Sequence, residues 1–211
     1  MGLAKPWMEF RKRIPEPVKR VYRLGKLGLE PIPTKAPSIP QALIDTCKFI
    51  SDRETMLEHL PQGGKVLEIG VLHGVYTREI LKRNKPKTLD LLDLSFDTLA
   101  EDVKNHESVT LYEGVSELIL PQLEDGAYDW IYIDADHTYH GVQKDITLTM
   151  SKVKPGGYLV FNDFARINRD GYGTFGVHQA VCEFMVEHNW PMAFFCFQGE
   201  ALYDVALKKP G

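Results

Sequence analysis

Lys65-Val66-Leu67-Glu68-Ile69-Gly70-Val71-Leu72-His73-Gly74 decides how the rest of the chain is read. Its first five residues form a short apolar run of the kind a buried strand requires, and the run is closed by glycine. Two glycines four apart then permit a tight turn and a close approach of backbone to ligand, ahead of a helical stretch that reaches about Arg83. A strand turning through glycine into a helix is the unit from which parallel sheets with crossover helices are built.

Working outward, further strand candidates follow at Thr88–Leu94, Val109–Glu113, Tyr128–Asp134 and Gly157–Phe161, with helical spacing in the gaps. Val142, Ile146, Met150 and Val153 trace one apolar helix face, and Val177, Val181, Phe184, Met185 and His188 another. Two further strands, Met192–Phe197 and Ala201–Leu207, are separated only by Gln198-Gly199-Glu200, which can join only antiparallel neighbours. The expected fold is α/β and Rossmann-like: a doubly wound, mostly parallel seven-stranded sheet with an antiparallel C-terminal hairpin. Before it, Leu43, Ile44, Cys47 and Ile50, then Met56, Leu57 and Leu60, predict leading helices over 41–61, so that 41–211 reads as one domain.

The chain has 211 residues, 44% hydrophobic and 26% charged, which is ordinary globular usage and excludes a disordered or fibrous protein. A net charge of −4 excludes a strongly basic body that binds nucleic acid by neutralising phosphates. Residues 1–40 depart from this average. They hold nine Lys and Arg against three Glu, and seven of the 13 prolines, which marks a basic arm outside the domain. Within it Val18, Val21, Tyr22 and Gly25 fall at helical spacing among basic residues. That pattern suits peripheral contact with an anionic membrane, self-association, or packing on the chain's own domain. Cys47, Cys182 and Cys196 are odd in number, lack CxxC spacing and sit among apolar neighbours, which predicts reduced thiols and a cytoplasmic protein.

The chemistry-bearing residues gather at strand ends, where ligands bind in open α/β sheets. Gly70-x-x-x-Gly74 lacks the middle glycine that a dinucleotide's pyrophosphate needs, which argues against NAD or FAD. Asp93, about twenty residues on, ends the second strand, where a carboxylate can bind both hydroxyls of a ribose. Asp134, Asp136, His137 and His140 follow the fourth strand, and Asn162 and Asp163 end the fifth. Asp134, Asn162 and Asp163 are hard oxygen donors of the type that suits Mg²⁺, Mn²⁺ or Ca²⁺; capping and turning roles are the structural alternative. His137 titrates near neutrality and could accept a hydroxyl proton, which Asp136 could do only with a raised pKa.

From roughly Asp52 to Lys209 the sequence resembles the class I S-adenosylmethionine-dependent methyltransferases. Glu68-x-Gly70-x-x-x-Gly74 is similar to the motif of the catechol and caffeoyl-CoA O-methyltransferases. The resemblance implies that Gly70 and Gly74 line the methionine part of S-adenosylmethionine, that Glu68 supports their loop and that Asp93 holds the ribose. His73 would line the donor site as well, and Asp134 would border it. Where relatives carry Gly-Asp-Ser or Gly-Asp-Ala, this chain has Gly114-Val115-Ser116, so the adenine contact falls to Ser116 or a backbone amide. Metal-dependent members and some antibiotic-sugar enzymes have acids where Asp134, Asn162 and Asp163 stand, here in the order Asn-Asp, with a base where Asp136 and His137 stand.

The expected reaction is methyl transfer to a hydroxyl of a small acceptor, a sugar or a phenol, assisted by a divalent cation. A metal-independent O- or N-methyltransferase and a non-catalytic cofactor-binding protein of the same fold remain alternatives. The glycine-rich segment Arg166–Gly176 is expected to form a flap, with Tyr172 or Phe175 against the acceptor.

Overall fold

The structure is a computed structural model that describes residues 35–167, 174–199 and 202–211. Residues 1–34 of the basic arm, Tyr172 and Ala201 lie outside the described residues, so the expectations placed on them have no structural counterpart here.

Among the described residues eight strands form one sheet: β1 (Lys48–Ile50), β2 (Lys65–Ile69), β3 (Thr88–Asp93), β4 (Val109–Glu113), β5 (Tyr128–Ile133), β6 (Val153–Phe161), β7 (Met192–Cys196) and β8 (Asp204–Lys208). Their order across the sheet is β1-β7-β8-β6-β5-β2-β3-β4. β8 runs antiparallel to both β6 and β7, and every other pairing is parallel. The helices are α1 (Arg53–His59), α2 (Val75–Glu79, prolonged by a π turn over Ile80–Asn84), α3 (Glu101–Lys104), α4 (Ser116–Ile119), α5 (Tyr139–Thr149) and α6 (Val177–His188).

Alternation along the strands divides the core in two. Leu67, Ile69, Ile131, Ile133, Leu159 and Phe161 point to one face and meet Val142, Ile146, Val181 and Met185 of α5 and α6. Val66, Leu89, Leu91, Trp130, Tyr132 and Val160 point to the other and meet Met56, Leu57, Tyr76 and Ile80. Both faces of β2 and β5 are therefore covered, which is why these strands read as nearly continuous apolar runs.

Two expectations are corrected. The sheet has eight strands where seven were expected, and the leading helices over 41–61 reduce to a single 3₁₀ turn at Gln41–Leu43 and α1, with β1 between them. The spacing of Ile44, Cys47 and Ile50 imitates a helix, but Lys48–Ile50 lies along the edge of the sheet in parallel register with Phe194–Cys196. Three residues are too few for a period to be read from sequence. The C-terminal strand also does not sit outside its hairpin partner: β8 inserts between β6 and β7, so Asp204 at its start is completely buried.

The carboxyl ends of β2, β3, β5 and β6 finish level with one another. The Gly70 amide donates to the Leu92 carbonyl (2.9 Å), the Asp134 amide to Ile69 (2.8 Å) and the Asn162 amide to Ile133 (3.1 Å). The order of winding switches between the parallel strands β2 and β5, and a crevice opens at that point. Gly70 has φ of 84°, and a Cβ placed on it would lie 2.0 Å from the carbonyl oxygen of Asp134. Gly70→Ala should therefore destabilise the protein by ~3 kcal/mol through backbone strain and forced separation of β2 from β5. A thermal or denaturant melt checks this, and an unchanged midpoint would contradict it.

Candidate active site

A cleft of about 730 Å³ opens over the ends of β2, β3 and β5. One wall is the loop Gly70–His73 with Val75 and Tyr76, the far end is Gly114–Glu117 with Lys144 and Asp145, and the inner end is Arg53, Glu68 and Asp134. Asp93 organises the loop. Its Oδ2 accepts from the amides of Val71 (2.7 Å) and Leu72 (2.9 Å), and its Oδ1 from the Leu94 amide (2.6 Å). A carboxylate has about four acceptor sites, so capacity remains for a ribose hydroxyl in the cleft.

Glu68 is 1% exposed beneath the loop and accepts from the Thr77 hydroxyl at 2.8 Å, tying β2 to α2. Burial raises its pKa to about 8, with the Thr77 hydrogen bond opposing and the charge of Asp134 adding to the rise. Gly74 does not line the cleft. It begins α2 at φ of 74°, and a Cβ there would lie 2.7 Å from Cδ1 of Leu99, so it is needed for packing under α3. His73 does line the cleft, with Nδ1 3.4 Å from the Thr98 carbonyl. Ser116 is at the far end and donates to Asp145 Oδ1 at 2.8 Å, so its hydroxyl oxygen remains available as an acceptor.

Beyond Asp134 a second cavity of about 420 Å³ adjoins the cleft, and Arg53 and Asp134 border both. Burial, followed by the charges of Asp204 and Asp163, raises the Asp134 carboxyl to about 8. Behind it Asp204, raised by burial to about 7, accepts from the Tyr132 hydroxyl (2.9 Å), the Asn162 amide (3.2 Å) and the Gln198 amide. Arg53 lies over the Tyr76 ring, 4.7 Å from its centroid, and donates to the Tyr132 hydroxyl at 3.4 Å.

The two residues expected as bases are placed differently. Asp136 turns back to the amide and hydroxyl of Thr138, both at 2.9 Å, and shapes the start of α5, although it also borders the cleft. His137 lines neither large cavity; both its ring nitrogens face oxygens, Nδ1 the Ala135 carbonyl (3.2 Å) and Nε2 the Asn162 side-chain oxygen (3.3 Å). Phe175 stacks on the His137 ring at 4.6 Å and is partly buried in the core, which turns it away from the second cavity.

The expected Mg²⁺, Mn²⁺ or Ca²⁺ site on Asp134, Asn162 and Asp163 is corrected. Among the described residues no group of three or more His, Cys, Asp or Glu side chains is arranged to hold a metal ion. The imidazole of His137 takes the middle of the oxygens instead, with Nε2 3.6 Å from Asp134 and 3.7 Å from Asp163. The Asn162 amide is buried and committed to Tyr132 and Asp204.

Reading the sequence did not single out Arg53, Tyr132, Gln198 or Asp204. They come from α1, the middle of β5 and the two ends of the β7–β8 connection, and none belongs to a local motif. The one available signal was Asp204, an acid inside an otherwise apolar strand.

The strand order, the glycine turn at a switch point and the acid ending β3 together match one architecture. The chain has the class I S-adenosylmethionine-dependent methyltransferase fold. Residues 67–164 match a family model described as a methyltransferase domain. No curated protein matches the sequence. Among solved structures, a SAM-dependent methyltransferase from Aquifex aeolicus is similar, with 20% identity, 75% of this chain and 90% of that one covered, and a TM-score of 0.58. The N-methyltransferase NodS from Bradyrhizobium japonicum WM9 has 19% identity over 75% and 95% of the two chains, with a TM-score of 0.56. The O-methyltransferase TomG from Streptomyces achromogenes, solved with SAM, has 18% identity over 74% and 79%, also with a TM-score of 0.56. At these identities the likeness is one of fold.

Two outcomes are expected of this cleft and the acid beneath it. Asp93→Ala should weaken SAM binding by ~1 to 3 kcal/mol, read by calorimetric titration of folded protein, since it removes an acceptor and releases two loop amides. Glu68 has a folded pKa of about 8 against an ordinary 4.5, so its contribution to stability is complete below pH 4.5 and is lost as pH rises to 8. Glu68→Gln cannot ionise, and its denaturation midpoint should fall less than that of the parent over the same range.

Proposed function

We propose that this chain transfers the methyl group of SAM to an oxygen or nitrogen of a small acceptor without a metal ion, and that Asp134 receives the acceptor's proton. The observation that carries this reading is the position of Asp134, which borders both the donor cleft and the cavity beside it.

The donor cleft suits SAM by the chemistry of its walls. Asp93 offers a carboxylate for ribose hydroxyls, Gly70 and Val71 bring backbone close to the methionine part, and Ser116 with Val115 faces the far end, where adenine belongs. When bound, SAM supplies a methyl group already electrophilic on its sulfonium. The protein therefore needs to align the acceptor, exclude water and take a proton. Asp134 answers the last need in its ionised form, because burial and neighbouring carboxylates raise its pKa to about 8 and make that carboxylate a strong proton acceptor. His137 Nε2 lies 3.6 Å from that carboxyl. N-methyltransferase and O-methyltransferase both occur among the names of the structural relatives, and neither transfers to this chain at such low identity.

The three free cysteines, Cys47, Cys182 and Cys196, favour a reducing, cytoplasmic setting. Among the described residues no helix is long and apolar enough to cross a membrane.

Turnover of labelled SAM should persist in excess EDTA, and its loss there with recovery on adding Mg²⁺ would overturn the metal-free reading. Asp134→Asn keeps the side chain's shape but accepts no proton. It should lower kcat by ~10² to 10⁴-fold and leave SAM affinity nearly unchanged.

A further inference from the structure

The second cavity identifies a class of acceptor. It lies beyond Asp134 on the side away from the adenine end of the cleft, and its volume of about 420 Å³ is that of a small-ligand site. Its side chains are mostly hydrogen-bonding: the Arg53 guanidinium, the carboxyls of Asp134 and Asp163, and the amides of Asn162 and Gln198, with Leu202 as the apolar exception. No aromatic ring of the described residues lines it. The nearby rings are engaged elsewhere, Phe175 on His137 and Phe164 on His178 at 4.8 Å.

Charge narrows the class further. Asp134 and Asp163 border the cavity, and Asp204 lies behind Asn162 and Gln198, bonded to both. Against three acids there is one guanidinium, and it is already spread over the Tyr76 ring and bonded to Tyr132. An acidic acceptor would add to the cost of ionising Asp134, whose carboxyl burial and neighbouring acids already raise to about 8. Among the described residues a flat phenol would find no stacking wall and only Leu202 as apolar cover for its faces. A molecule with hydroxyls on several adjacent carbons can pair with donors and acceptors of both kinds, and an amine adds a contact to the carboxylates.

We propose that the cavity bordered by Arg53, Asp134, Asp163 and Gln198 is the acceptor subsite and that it takes a sugar or amino sugar. The assignment rests on the reading of donor cleft and transfer given above. A hydroxyl or neutral amine presented next to the ionised Asp134 carboxylate loses its proton to it as oxygen or nitrogen forms its bond to the methyl carbon; the carbon–sulfur bond breaks and S-adenosylhomocysteine leaves. Atoms and charge balance without an oxidant or other co-reactant.

The test uses the full chain loaded with S-adenosylhomocysteine and a panel of hexoses, hexosamines, catechol and benzoate. Binding is read by saturation-transfer NMR, and transfer in parallel with labelled SAM. Sugars or amino sugars should bind and accept methyl, and catechol and benzoate should do neither. Gln198→Leu should weaken sugar binding about tenfold, as expected for one lost hydrogen bond in a buried site, without changing SAM affinity. Because that variant also removes a partner of Asp204, Asp163→Asn is the isosteric control. Asn tolerates the φ of 52° found there, and the change should weaken amino-sugar binding more than binding of the matching hexose. Binding and turnover of phenols with no sugar bound would overturn the assignment, as would absence of binding by every sugar in the panel, or unchanged sugar affinity in both variants. Failure of the donor reading looks different: SAM itself would not bind, and no acceptor of any class would be methylated.

Discussion

The contact on which this site depends is the approach of two strand ends, with the backbone of Gly70 against the carbonyl of Asp134. Any side chain at position 70 would collide with that carbonyl, so glycine lets β2 and β5 finish side by side. From this follow the switch in the order of winding between two parallel strands, the crevice above it and the level strand ends that bring Asp93 and Asp134 to one cleft. A side chain from the glycine loop is not required to define the donor cleft; backbone and the carboxylate of Asp93 do so.

Behind the cleft the protein concentrates acids where water is scarce. Glu68, Asp134 and Asp204 are each shifted upward, chiefly by burial, and each is met by donors from other elements: Thr77 for Glu68, Tyr132 and Asn162 for Asp204, and His137 beside Asp134. Arg53 from α1 provides the opposing charge and lowers the cost of Glu68, Asp134 and Asp204 together. Helix α1, short and near the sheet edge, is thus tied to the chemistry through one residue. Asp52 fixes where that helix starts by accepting from the Thr55 amide at 2.6 Å.

What could be read from the sequence were features carried by local pattern. The strand runs, the glycine turn and Asp93 at its distance along the chain each leave a signature within a few residues and are where pattern placed them, whereas β8 starts at Asp204 and β7 ends at Cys196, so their connection is longer than the three residues expected. β1 was hidden because three residues carry no period. The insertion of β8 between β6 and β7 was hidden because a short link specifies antiparallel pairing with one neighbour and says nothing of the other. The metal expectation failed for a related reason. Adjacent strand ends bring Asp134, Asn162 and Asp163 close, but only tertiary packing reveals that His137 fills the space among them and that Asn162 is held by Asp204 from β8. Spacing along a strand gives no access to a partner forty residues away.

The central claim is that donor and acceptor meet at Asp134. A crystal structure of the chain with S-adenosylhomocysteine tests it most directly. It should show the ribose at Asp93, the adenine toward Ser116 and the sulfur facing the junction of Asp134 and Arg53. A nucleoside bound outside this cleft, or bound within it with the sulfur turned toward Ser116, would contradict the account.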